Sequence, residues 1–109
     1  MGLDQYAFAR KGEEKIEIMY WRKHANLQGW MERLYCSRGG KGEDFNCVDL
    51  LLSEEDLLNL QLQHESLETA TGFFWGTSRP ESIADTAHFI STALEYQKQG
   101  YEITYYSWW

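Results

Sequence analysis

The stretch Ile16-Glu17-Ile18-Met19-Tyr20-Trp21-Arg22-Lys23, followed after His24 and Ala25 by Asn26-Leu27-Gln28-Gly29-Trp30-Met31-Glu32-Arg33-Leu34-Tyr35, contains a change of hydrophobic period. In its first half Ile16, Ile18 and Tyr20 recur every second residue, the repeat of a β-strand. In its second half Leu27, Trp30, Met31, Leu34 and Tyr35 recur at intervals of three and four, which is one apolar stripe of an amphipathic helix. Met19 and Trp21 make the other side of the strand apolar as well, so its far end is predicted to be central in a sheet and covered on both faces. Asn26 is the expected N-cap, its side-chain oxygen placed to accept an early backbone N–H. The helix is predicted to stop near Ser37, because Arg38-Gly39-Gly40-Lys41-Gly42 supplies glycines that accept left-handed dihedrals.

Upstream, Gly2 to Ala9 carries Leu3, Tyr6 and Phe8 and is separated from Ile16 by the turn chemistry of Lys11-Gly12-Glu13-Glu14, which predicts a hairpin. Downstream, Phe45 to Leu52 reads as a short strand or an irregular core segment. Ser53-Glu54-Glu55-Asp56 then starts a second helix, with Ser53 as N-cap and three carboxylates at the positive end of the dipole. Leu57, Leu60, His64 and Leu67 share a face of it. A third helix is expected from Ser78, Pro80 and Glu81, which have capping-box spacing and a first-turn proline. Ile83, Ala87, Ile90 and Leu94 form its stripe, widened by Ala84, Phe89 and Ala93, and Gly100 ends it. Tyr101 to Trp109, with Ile103, Thr104, Tyr105 and Tyr106, suits a strand. The sum is one α+β domain over residues 1–109. A small antiparallel sheet, made of the N-terminal hairpin and the C-terminal strand, is covered by three helices.

Composition agrees with one packed core: 109 residues, 43% apolar and 16% aromatic, exclude both disorder and a two-domain chain. The net charge of −7 is unevenly spread. Residues 1–41 hold eight of the ten bases and five of the seventeen acids, a net of +3, and residues 42–109 a net of −10. No run approaches the roughly 18 apolar residues of a membrane span, and the start lacks a signal peptide, so no membrane association and a cytoplasmic location are expected. Gly2 meets only the first requirement for myristoylation, since position 6 is Tyr. Cys36 and Cys47 are expected to be free thiols. No metal is expected, because these cysteines and His24, His64 and His88 lack the short ligand spacings of zinc sites.

Four blocks occur together and in order: Met1-Gly2-Leu3-Asp4, Tyr20-Trp21-Arg22-Lys23 with Asn26 and Trp30, Gly72-Phe73-Phe74-Trp75-Gly76, and Tyr106-Ser107-Trp108. In these the chain resembles a group of small uncharacterised proteins, common in tailed bacteriophages and in some bacteria. Those proteins open with Met-Gly-Leu-Asp-Met-Tyr, continue with Tyr-Trp-Arg-Lys-x-Asn before a helix and carry Gly-Phe-Phe-Phe-Gly. The resemblance spans most of the chain. Gln5 stands here for the usual Met and Trp75 for the third Phe, and the aromatic and acidic stretch after the second glycine is reduced to Thr77-Ser78-Arg79. If that stretch lines a site in the resembled proteins, the site is altered here. The resemblance implies a phage origin, hence the cytoplasm of a host cell, and carries no reaction with it.

Two function classes follow. In the first, the protein is a small non-enzymatic accessory protein that binds a host protein, with Trp75, Trp108 and Trp109 as exposed aromatic anchors. In the second, it binds or transforms an anionic, nucleotide-like small molecule. Arg22 and Lys23 beside a helix start at Asn26 would then supply cations and free backbone donors, and Trp75 a stacking surface. The plainer reading of Arg22 pairs it with Asp4 across the hairpin. No catalytic residue is assigned: no serine carries a motif-borne His and Asp, and His88 near Asp85 is the only plausible acid–base pair. No cofactor is expected. The charge of −7 argues against nucleic acid, although Arg22, Lys23, Arg33 and Arg38 make a local basic group. The acids of residues 42–109 read either as solvated faces or as mimicry of a nucleic acid.

Overall fold

The computed structural model describes residues 2–41, 45–68, 70 and 75–109. Its elements run β1 (Asp4–Lys11), β2 (Glu14–Arg22), α1 (Ala25–Ser37), β3 (Leu50–Leu52), α2 (Glu54–Gln63), α3 (Glu81–Lys98) and β4 (Glu102–Trp108). The four strands form one antiparallel sheet in the order β2-β1-β4-β3. The α+β class, the hairpin, the strand at β4 and the three helices stand as the sequence predicts. The Cα radius of gyration of 12.9 Å matches the roughly 13 Å of one domain of this length.

The place of β2 corrects the sequence reading: it is an edge strand, and β1 and β4 occupy the centre. The two apolar sides of β2 have another cause. The ladder with β1 shifts between Ala7/Met19 and Phe8/Glu17, so that Ile18 is an extra residue and the parity of the strand changes there. Trp21, Met19 and Ile16 pair with Gln5, Ala7 and Ala9 and all point to the same side. A bulge therefore produces the pattern that the sequence offers as double burial.

The core lies on that side. Ala7, Ala9, Trp21, Leu50, Leu52, Ile103 and Tyr105 from the sheet pack with Leu27 and Met31 of α1, Leu57 and Leu60 of α2, and Phe89, Ile90 and Ala93 of α3. The buried face of α3 is rotated from the expected stripe: Thr86 is buried while Ile83 and Ala87 are exposed. Thr86 can face inward because its hydroxyl donates to the Ser82 carbonyl (2.7 Å) and accepts from Trp21 Nε1 (3.2 Å).

Helix starts follow sequence in one case and space in the others. Ser53 and Asp56 form a capping box at α2, as expected of Ser53. At α1 the N-cap is His24, not Asn26, and the helix receives its cap from across the fold: Ser78 Oγ accepts from Asn26 N at 2.9 Å. Asn26 Oδ1 instead accepts from the Ala70 backbone N–H (3.0 Å). With Ser78 engaged there, α3 begins at Pro80 with no side-chain cap. Gly29 lets this loop approach α1, since a Cβ there would overlap the Ala70 side chain.

Gln5 ties the sheet to α1. Fully buried on β1, its amide accepts from His24 N (2.8 Å) and donates to His24 O (3.0 Å), and Nε2 lies 2.9 Å from the Tyr105 hydroxyl, which donates on to Gln28. Gln5→Met would leave the His24 N–H buried without its side-chain partner, at about 1–3 kcal/mol, and would remove one of the two hydrogen bonds of the His24 C=O, which keeps the Gln28 N–H (3.1 Å), at about 0.5–1.5 kcal/mol. Urea denaturation of this variant is therefore expected to show a loss of about 2–4 kcal/mol. An unchanged midpoint would mean that the amide contributes nothing to stability.

Candidate functional site

The side of the sheet opposite the core carries no helix among the described residues. The β1 residues facing it are Asp4, Tyr6, Phe8 and Arg10. Pairing places Tyr20, Glu17 and Lys15 of β2, Tyr106 and Trp108 of β4 and Leu51 of β3 on the same side. Aromatic rings run across it: Tyr6 lies 6.1 Å from Phe8, 5.2 Å from Tyr20 and 6.3 Å from Tyr106 between centroids. Tyr20, Leu51 and Trp108 are 43%, 52% and 51% exposed, large apolar surface that the fold leaves in water. A shallow depression of about 430 Å³ is lined by Tyr6, Phe8, Lys15, Glu17, Asp49 and Tyr106.

The charges on this face are of both signs and largely paired. Arg22 Nη1 meets Asp4 Oδ1 at 2.9 Å, and the Tyr20 hydroxyl donates to the same carboxylate. That hydrogen bond, with some burial, holds the Tyr20 phenol above its ordinary pKa, so it stays neutral. Arg10 reaches Asp49 at 3.5 Å, and the Lys15 ammonium sits 4.3 Å from the centroid of Phe8. Hydrogen bonding to Cys47, then burial, raises the pKa of Tyr106. Cys36 and Cys47 are free and exposed.

The four residues expected to hold an anion are dispersed. Arg22 belongs to the open face and pairs with Asp4, the plainer reading of that residue. Lys23, in a left-handed conformation (φ 57°), hydrogen-bonds its backbone to Leu3 O and lays its stem against Gly76. Asn26 is committed to Ala70. Trp75, expected to be partly exposed, is 5% exposed and packs with Leu3, Ala25 and Trp109 in a second small core. The reason is a T-shaped contact at 5.6 Å with Trp109, whose backbone is gripped on both sides by the Asn46 amide. Of the three tryptophans offered as partner anchors, Trp108 is exposed, Trp109 half-buried and Trp75 buried. Phe73 and Phe74 lie outside the described residues.

Sequence reading missed the open face itself. Tyr6, Phe8, Tyr20 and Tyr106 are legible as strand residues, but which side the helices take depends on the bulge at Ile18 and on the β1–β4 pairing. It also missed a polar contact at the start of α1, where His24 Nδ1 lies 2.7 Å from Ser78 Oγ. Ser78 Oγ also accepts the Asn26 N–H, and burial holds the His24 pKa down at about 4, which makes the imidazole a weak base. Among the described residues no group of three His, Cys, Asp or Glu side chains is placed to hold a metal ion, and no helix is long and apolar enough to cross a membrane. His88 and Asp85 are both exposed.

Comparison with protein families, curated proteins and solved structures yields no match to this chain.

The depressed His24 pKa sets a pH dependence. Between its unfolded value near 6.5 and its folded value of about 4, the unfolded chain binds a proton that the folded chain refuses. The stabilising contribution is therefore complete above about pH 6.5 and declines by about 1.4 kcal/mol per pH unit as the pH falls through that window. Urea denaturation at about pH 7 and pH 5.5 is expected to show wild type losing about 1–2 kcal/mol more than His24→Asn. Equal losses in the two proteins would remove His24 from the account.

Proposed function

We propose that this protein is a non-enzymatic accessory protein of phage origin that binds a host protein on the open face of its sheet. The observation that carries the reading is the set of five aromatic side chains, Tyr6, Phe8, Tyr20, Tyr106 and Trp108, on one helix-free side of the sheet. Tyrosine, tryptophan and arginine dominate the energetic centres of protein interfaces, and the two aromatics bury large area with little loss of rotamer freedom. Phage origin and a host partner are supported by the four sequence blocks alone.

Charge favours a protein over a nucleic acid as the occupant. Bases would stack on such rings, but a phosphate backbone needs a track of unpaired cations beside them. Arg10 and Arg22 are instead engaged by Asp49 and Asp4, Glu17 lines the same depression as Lys15, and the chain carries −7. A protein segment with its own apolar side chains and mixed charges fits this surface. The second reading, an anionic nucleotide-like ligand held by Arg22, Lys23, Asn26 and Trp75, has the geometry against it: no cavity described in the structure is lined by more than one of the four.

Affinity capture from bacterial lysate, followed by direct titration of the purified partner, tests the reading. Trp108→Ala and Tyr20→Ala are each expected to weaken that partner's binding by about tenfold or more while the melting temperature stays near wild type. Leu62→Ser on α2, a residue 84% exposed, is expected to change neither. Loss of binding in Leu62→Ser but in neither sheet variant would move the docking surface to the helices and defeat the proposal. Trp75→Ala has a different expected outcome: as a core truncation it costs about 3–5 kcal/mol of stability.

A further inference from the structure

On the helix side of the molecule, away from the open sheet face, α1 and α2 border a cavity of about 420 Å³. Trp30, Arg33 and Leu34 reach it from α1, at the three- and four-residue spacing that brings helical side chains onto one face. Asn59 and Gln63, one turn apart on α2, form another wall, and Glu68 comes from the chain that leaves α2. Trp30 belongs to the apolar stripe of α1 but only packs against the edge of the core, and it stays half-buried. The polar side chains around it, Arg33, Asn59, Gln63 and Glu68, are all exposed, so each can meet a ligand from solvent.

The indole and the amide fix one another. Trp30 Nε1 donates to Gln63 Oε1 at 3.2 Å, and because an indole nitrogen can only donate, the amide turns its oxygen to the ring and keeps both Nε2 protons for another partner. Asn59 presents a second amide to the same space. Arg33 and Glu68 stand 3.9 Å apart with 48% and 82% of their side chains exposed. In so loose a pair the guanidinium keeps free N–H groups and the carboxylate keeps free lone pairs.

We propose that this groove binds a neutral saccharide, with a pyranose ring against the Trp30 indole and its hydroxyls held by Asn59, Gln63, Arg33 and Glu68. Charge selects against an ion: Arg33 and Glu68 offset each other, and among the described residues no other charged side chain lines the cavity. Donors and acceptors are mixed, which suits hydroxyls, since each gives one proton and accepts others. The face of the indole is the negative part of its ring system and attracts the weakly positive C–H groups of a saturated ring. No second aromatic ring lines the cavity among the described residues, so a flat base would find one platform and no slot to enter. The volume lies within the roughly 300–1,000 Å³ of small-molecule sites. This site is independent of the open sheet face, and the two proposals stand or fall separately.

The test follows the five indole N–H signals by NMR, with the Trp30 signal identified by its absence from Trp30→Phe. Glucose, N-acetylglucosamine, galactose and mannose are added separately up to about 50 mM, a range that still detects binding some tenfold weaker than millimolar. The β-linked tetramers of the first two sugars form a second arm. Saturable movement of the Trp30 signal is expected with at least one sugar, at millimolar affinity, because ordering exposed side chains offsets part of the contact energy. Tighter binding of a tetramer than of its monomer identifies a polysaccharide as the source, and equal affinity a free sugar. Asn59→Ala and Arg33→Gln, both at exposed positions, are each expected to weaken binding about three- to tenfold with melting temperatures near wild type. The proposal is overturned if no sugar moves the Trp30 signal saturably, if glycerol moves it as much at the same concentration, or if adenine binds more tightly than every sugar. Unchanged affinity in both Asn59→Ala and Arg33→Gln overturns it as well.

Discussion

The structure depends on one buried amide. Gln5 sits on a central strand and matches the peptide of His24 atom for atom, one donor to one acceptor in each direction. That peptide lies where the chain leaves β2 through the left-handed Lys23 and enters α1. Fixing it fixes the axis of α1, the position of Gln28 beneath Tyr105 and the His24 ring beside Ser78. An amide in this place specifies a single arrangement in a way that an apolar residue of similar size cannot, because every alternative register leaves it unsatisfied.

The elements were legible in the sequence because their signals are local. The change of period at Asn26, the Ser53 cap, the glycines after Ser37 and at Gly100, and the β-rich segment at Tyr101 each rest on a few adjacent residues. What was not legible was set by partners distant in the chain. Ser78 has the spacing of a cap for its own helix, and it caps α1 instead. Asn26 has the chemistry of a cap, and it holds Ala70. Trp75 ends an aromatic triplet bounded in sequence by Gly72 and Gly76, a pattern that suggests exposure, yet Trp109 closes over it. The bulge at Ile18 is written only as one apolar residue too many, a pattern that a doubly covered strand produces equally well. The candidate site suffered most, since a sheet has two faces and only the placement of helices decides which one meets water.

The charge asymmetry of the sequence takes on a spatial meaning. Bases from residues 1–41 find acids from residues 42–109 in the pairs Arg10–Asp49, Arg33–Glu68 and Arg38–Asp56. Arg10–Asp49 and Arg33–Glu68 are substantially exposed on both sides, so each contributes little by itself, whereas in Arg38–Asp56 the carboxylate is mostly covered. Only Arg10–Asp49 lies on the open sheet face, where Arg22 and Asp4 make a second pair.

The pairing of β1 with β4 also governs how the chain reaches this state. Asp4 finds Trp108 and Arg10 finds Glu102, so the two central strands are joined across most of the sequence. Loop closure over such a span must precede any reward from the contact, which makes this ladder the slow step of folding. During synthesis the hairpin can form early, but β1 keeps one bare edge until Glu102–Trp108 has emerged. For that interval the aromatic residues of the future open face and the apolar residues of the future core are both uncovered, and the nascent chain is at its most prone to wrong association.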